Sequence, residues 1–77
     1  MEENQQFCSL ISKNVKVFRK RKNYTQKQLA DAIPITQQYV SKIEKGKAEP
    51  SLDILVSLAK VFGIEVKELF VSYSHLP

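Results

Sequence analysis

The segment LDILVSLAKVF, residues 52–62, constrains this chain more than any other stretch. Leu52, Ile54, Leu55, Val56, Leu58, Ala59, Val61 and Phe62 leave it apolar almost all round. A helix of that kind is stable when other elements enclose it. Its ends are marked, because Ser51 after Pro50 can cap the first turn and Gly63 can stop the last. The pattern predicts a helix at the centre of a core. The 77 residues allow one small domain around it, with a core of about residues 7–70 and a tail at 71–77. A chain this short buries roughly 60% of its unfolded surface, so dimerisation adds useful stability.

The remaining elements follow from the same punctuation. Phe7, Ile11, Val15 and Phe18 recur at helical spacing, with Leu10 and Val17 widening the stripe. This first helix should close near Lys22, with Asn23 taking the left-handed turn that glycine more often supplies. Arg19, Lys20, Arg21 and Lys22 suit the negative end of its dipole. Thr25 caps a second helix, Gln26 to Ile33, and Gln28 is placed to complete a capping box. Leu29, Ala32 and Ile33 form its inward face, and Pro34 stops it. Thr36 caps a third helix of about residues 37–45, which Gly46 terminates. A last short helix runs from about Val66 to Phe70. The expected fold is all-α, a compact five-helix bundle.

Charge is unevenly placed. Residues 13–47 hold ten Lys/Arg against Asp31 and Glu44, whereas the stretches on either side are mildly acidic. A basic half suggests a face turned toward a polyanion. Cys8 is the only cysteine, so an intrachain disulfide is impossible and a reducing compartment is expected, with Cys8 as an apolar filler. The N-terminus lacks the basic start and apolar middle of a signal peptide. No apolar run approaches the ~18 residues of a membrane span. A cytoplasmic location and no membrane partner are expected. Enzyme readings find no phosphate loop, no nucleophile–histidine arrangement and no metal-spaced cluster. His75 has no partner cysteine or second histidine, so no metal, cofactor or small-molecule ligand is expected.

The third helix, QQYVSKIEK, is the informative one. On a wheel of ~100° per residue, Val40, Ile43 and Glu44 share one side, and Gln38, Ser41, Lys42 and Lys45 the other. The outward side is amide, hydroxyl and ammonium, without a carboxylate. Gln37, in the first turn, can reach past the helix end. Duplex DNA meets all of these groups: glutamine pairs with adenine N6 and N7 in the major groove, and lysine suits guanine or phosphate oxygens. The second and third helices, joined through a tight turn, form the arrangement in which the second member presents its leading residues to base edges.

The run TQKQLADAIPITQQYVSKIEKGKAEPSLDILVSLAKVFGIEVKELF resembles the Cro/CI-type (XRE-family) helix-turn-helix domain. Phage repressors and small bacterial regulators such as restriction–modification controllers carry that domain. The likeness extends back to VKVFRKRKN and implies a lambda-repressor-like fold. It also implies roles. Gln26 matches a phosphate-clamping glutamine beside Thr25, and Gln37, Gln38 and Lys42 match base-reading positions. Thr36 and Tyr39 match backbone or sugar contacts, and Ser41 an adjacent reader. Lys45 and Lys47 match phosphate contacts flanking Gly46. Arg19 and Glu44 match a buried structural ion pair, which accounts for the inward side of Glu44. Pro34 departs from the pattern, since the family commonly has a positive-φ glycine there. With φ held near −65°, a proline should alter the turn locally and shift the third helix.

The expected activity is sequence-specific recognition of double-stranded DNA by a transcriptional regulator, as a homodimer on a pseudo-palindromic operator. Its interface is expected at Val66, Leu69, Phe70, Val71 and Tyr73, with Leu76 beyond. The alternative is an antitoxin-type interaction module that covers a toxin and represses its own operon.

Overall fold

A computed structural model describes residues 2–72, with side chains from residue 9 onward. Four α-helices, α1 (Glu2–Arg21), α2 (Gln26–Ala32), α3 (Gln37–Glu44) and α4 (Leu52–Phe62), precede a 3-10 turn at Val66–Phe70. No strand occurs among the described residues. Nor is any helix among them long and apolar enough to cross a membrane. The fold is all-α, with a Cα radius of gyration of 11.5 Å, about that of a folded chain of this length.

The fifth expected helix is therefore a correction. Glu68 N–H donates to the Glu65 carbonyl at 3.0 Å, an i→i+3 bond, and Glu65 N–H donates to Glu68 Oε2 at 2.9 Å. Five residues are too few to offset α-helix nucleation, so the segment winds into the tighter form. Leu69 is its anchor in the core.

The core draws on every element. Val15, Leu29, Val40, Ile43, Leu58 and Leu69 are fully buried. The Phe18 and Phe62 rings stack with centroids 5.8 Å apart, joining α1 to α4. The expectation for α4 needs correcting: it is enclosed on one face, through Leu55, Leu58, Ala59 and Phe62, while Leu52 is 68% exposed. The three other helices of this chain are too few to surround a fourth. On α2 the buried arc runs from Leu29 through Ile33 to Ala30, which leaves Ala32 exposed rather than inward. The side chains of Phe7 and Cys8 lie outside the described set.

A polar residue sits in this core. Asn14, 4% exposed on the inner face of α1, donates both of its contacts from Nδ2, to the Leu69 carbonyl at 2.7 Å and the Val71 carbonyl at 2.8 Å. Those bonds fix where the chain leaves the 3-10 turn.

Three of the four α-helices end in one way. After α1, α3 and α4 a residue takes positive φ: Asn23 at 60°, Gly46 at 72° and Gly63 at 70°. At each of these ends a pair of bonds closes the last turn: Tyr24 N to Arg19 O and Asn23 N to Lys20 O, Lys47 N to Lys42 O and Gly46 N to Ile43 O, Ile64 N to Ala59 O and Gly63 N to Lys60 O. This is the double closure of a Schellman motif. After α2, Ile35 N donates to Ala30 O at 3.0 Å, but Pro34 has no N–H to make the second bond. Pro34 sits at φ 20°, not near −65°. The fold requires a left-handed residue there, and the ring stops it short of the other three. Pro34→Gly should relieve this strain and restore the missing donor, against a more flexible unfolded chain. The expected net gain is about 1 kcal/mol. Thermal unfolding followed by circular dichroism checks this; a lowered melting temperature refutes it.

Candidate nucleic-acid interface

Local sequence places the leading end of α3. The backbone N–H of Tyr39 donates to Thr36 Oγ1 at 3.0 Å, and that of Gln28 donates to Thr25 Oγ1 at 3.0 Å. Each cap hydroxyl thus accepts from its own helix and keeps its O–H free to donate outward. Between the caps, Ile33 and half-buried Ile35 pin the turn to the core. Val40 and Ile43 bury the other side of α3. Gln37, Gln38, Lys42, Lys45 and Lys47 are then exposed, whereas Ser41 and Tyr39 are half-buried. Tyr39 packs its ring on the core.

An open concavity lies at this end of α3, lined by Gln26, Gln37, Gln38 and Ser41. Three amides and a hydroxyl offer hydrogen-bond donors and acceptors without net charge, and the lysines stand farther along. Such a surface suits a ligand with mixed hydrogen-bonding edges set between anionic groups.

Glu44 is held away from that surface. Arg19 Nε donates to Glu44 Oε2 at 2.6 Å and Arg19 Nη2 donates to Oε1 at 3.1 Å, a bidentate pair. The two side chains are 11% and 3% exposed. Arg19 Nη1 also donates to the Tyr24 carbonyl at 2.8 Å, so one guanidinium ties α1 to α3 and to the α1–α2 connection. Gln26 Nε2 donates to Glu44 Oε1 at 3.1 Å. Sequence reasoning missed this last bond, as it missed Asn14. Gln26 and Glu44 are 18 positions apart on different helices, so no periodicity connects them. Asn14 left a faint signal, an amide three residues after Ile11 on the apolar stripe.

The expected dimer residues separate. Leu69 is 0% exposed in the chain's own core, a correction, because a side chain used there cannot face a partner. Phe70 and Val71 are exposed and Val66 is half-buried. Tyr73, His75 and Leu76 lie outside the described residues. Among those described, no group of His, Cys, Asp and Glu could hold a metal ion.

Comparison with known proteins gives a consistent result. Residues 15–69 match the family described as helix-turn-helix. An uncharacterized HTH-type transcriptional regulator of Methanocaldococcus jannaschii is 34% identical over 61 residues, 79% of this chain and 92% of that one. The crystal structure of a hypothetical transcription factor, NHTF, from Neisseria superposes with a TM-score of 0.86 at 22% identity, covering 92% of this chain and 80% of that one, a likeness of fold. The restriction-modification controller protein C.AhdI from Aeromonas hydrophila superposes with a TM-score of 0.78 at 28% identity, over 82% of this chain and 96% of that one.

The ion pair yields a stability test. Glu44→Ala leaves the Arg19 guanidinium without its counter-charge in a mostly buried site, and should lower the unfolding free energy by ~3–5 kcal/mol. Urea denaturation reads the effect; a change below 1 kcal/mol places the pair in the weak class of surface pairs.

Proposed function

Because the chain belongs to the helix-turn-helix family of transcriptional regulators, whose domain binds DNA, we propose that it recognises a specific double-stranded sequence with α3 in the major groove. The observation that carries this reading is the outward side of α3. It exposes Gln37, Gln38 and Lys42, with Lys45 at the C-cap beyond, and no carboxylate, while Glu44 is folded inward onto Arg19. Gln37 and Gln38 are assigned to base edges and Lys42 to a base or phosphate. Thr25, Gln26, Thr36, Tyr39, Lys45 and Lys47 are assigned to the phosphate–sugar chain, and Ser41 sits beside the readers.

Two copies make the active species. α3 has eight residues, a length of about 12 Å, and spans only a few base pairs. A two-fold dimer on a pseudo-palindrome, with half-sites ~34 Å apart, doubles the readout. Exposed Phe70 and Val71 support an interface at the end of the fold.

The division between readers and anchors is measurable. Gln38→Ala should cost ~1–3 kcal/mol on the cognate duplex and relax preference at one base position. Lys47→Ala should weaken cognate and scrambled duplexes alike and reduce the slope of log K against log salt by about 1. Titrations at several salt concentrations check both, and identical behaviour of the two variants rejects the assignment. Sedimentation at micromolar concentration tests the dimer, which a strict monomer binding half-sites singly rules out.

A further inference from the structure

We infer that Glu44 is a positioning residue for DNA binding, because it holds the Gln26 side chain at the rim of the concavity on α3. The inference rests on the DNA-binding reading above and goes beyond it. It gives the ion pair, otherwise a matter of fold stability, a second role in the complex.

The geometry is specific. Glu44 Oε1 receives Gln26 Nε2 and Arg19 Nη2, each at 3.1 Å, while Oε2 receives Arg19 Nε. An ionised carboxylate only accepts hydrogen bonds, so Gln26 must turn its amide nitrogen toward Glu44. One N–H is thereby committed inward. The second N–H and the carbonyl oxygen remain for a ligand. Gln26 lines the concavity together with Gln37, Gln38 and Ser41 of α3, so the amide that Glu44 holds borders the expected readers. A glutamine side chain fixed before binding loses less conformational freedom in the complex than a free one, worth about two- to tenfold in affinity. Arg19 keeps the carboxylate in place for this task through its bidentate grip and its bond to the Tyr24 carbonyl.

Electrostatics alone makes the opposite prediction. Replacing Glu44 by a neutral isostere removes a negative charge beside a polyanion, which by itself tightens binding. Glu44→Gln therefore separates the two roles by sign. In titrations of cognate and scrambled duplexes, at a temperature where circular dichroism shows each variant folded, Gln26→Ala should weaken binding to both by about tenfold. Glu44→Gln should weaken both by about fivefold. The double variant should match Gln26→Ala within about twofold, because Glu44 acts through the side chain already removed.

Tighter or unchanged binding by Glu44→Gln overturns the inference, as does a Glu44→Gln effect that persists undiminished in the Gln26→Ala background. Should Glu44→Gln not fold, nuclear magnetic resonance of the free wild-type protein decides. The Gln26 side-chain amide is expected to show one proton displaced and slow to exchange, and free-glutamine behaviour overturns the proposal. If the wild-type chain binds no duplex, the DNA-binding reading itself fails. If it binds but ignores Glu44→Gln, only this inference fails.

Discussion

The Glu44 carboxylate is the constraint from which most of this architecture follows. A carboxylate on the inward side of a short helix is tolerable only when its charge is matched and its lone pairs are filled. Arg19, reaching across from α1, meets both conditions. The same contact sets α3 against α1 and, through the Tyr24 carbonyl, holds the connection into α2. It also clears the outer surface, since withdrawing Glu44 leaves α3 with amides, a hydroxyl and the Lys42 ammonium outside. One mostly buried pair thus joins α1 to α3 and sets the charge of the outer surface of α3.

Helix ends complete the positioning. Each connection is brief because each helix closes through a left-handed residue and a bond back to its last turn. Threonine or serine then opens α2, α3 and α4. Short closures and side-chain caps leave little freedom in the angle between successive helices. The turn between α2 and α3 is the exception, since Pro34 occupies a place whose backbone geometry suits glycine. The fold tolerates that conflict because Ile33 and Ile35 on either side are held by the core.

The far end of the molecule follows a different logic. The 3-10 turn inserts Leu69 into the core, and Asn14 fastens the carbonyls on either side of Phe70. Phe70 and Val71 are directed outward as a consequence. The exposed apolar surface there lies where the Asn14 amide grips the backbone.

Local order was legible without coordinates. Thr25 with Gln28, Thr36, Ser51, Asn23, Gly46 and Gly63 mark helix limits because capping depends on residues a few positions apart. The outward composition of α3 could be read because its 3.6-residue period is local. What packs against what lay beyond that range. The exposure of Leu52 and the burial of Ala30 in place of Ala32 depended on neighbours distant in the chain, whereas the positive φ of Pro34 and the 3-10 winding of Val66–Phe70 rest on local closures that the residue pattern did not reveal. Distant neighbours also decided two polar contacts between separate segments, Asn14 to the Leu69 carbonyl and Gln26 to Glu44. Sequence by itself determined the helices, their limits and the chemistry of their faces, since those rest on spacing along one segment. Tertiary structure alone decided which faces are covered and which side chains share a hydrogen bond, since both require segments far apart in sequence to meet in space.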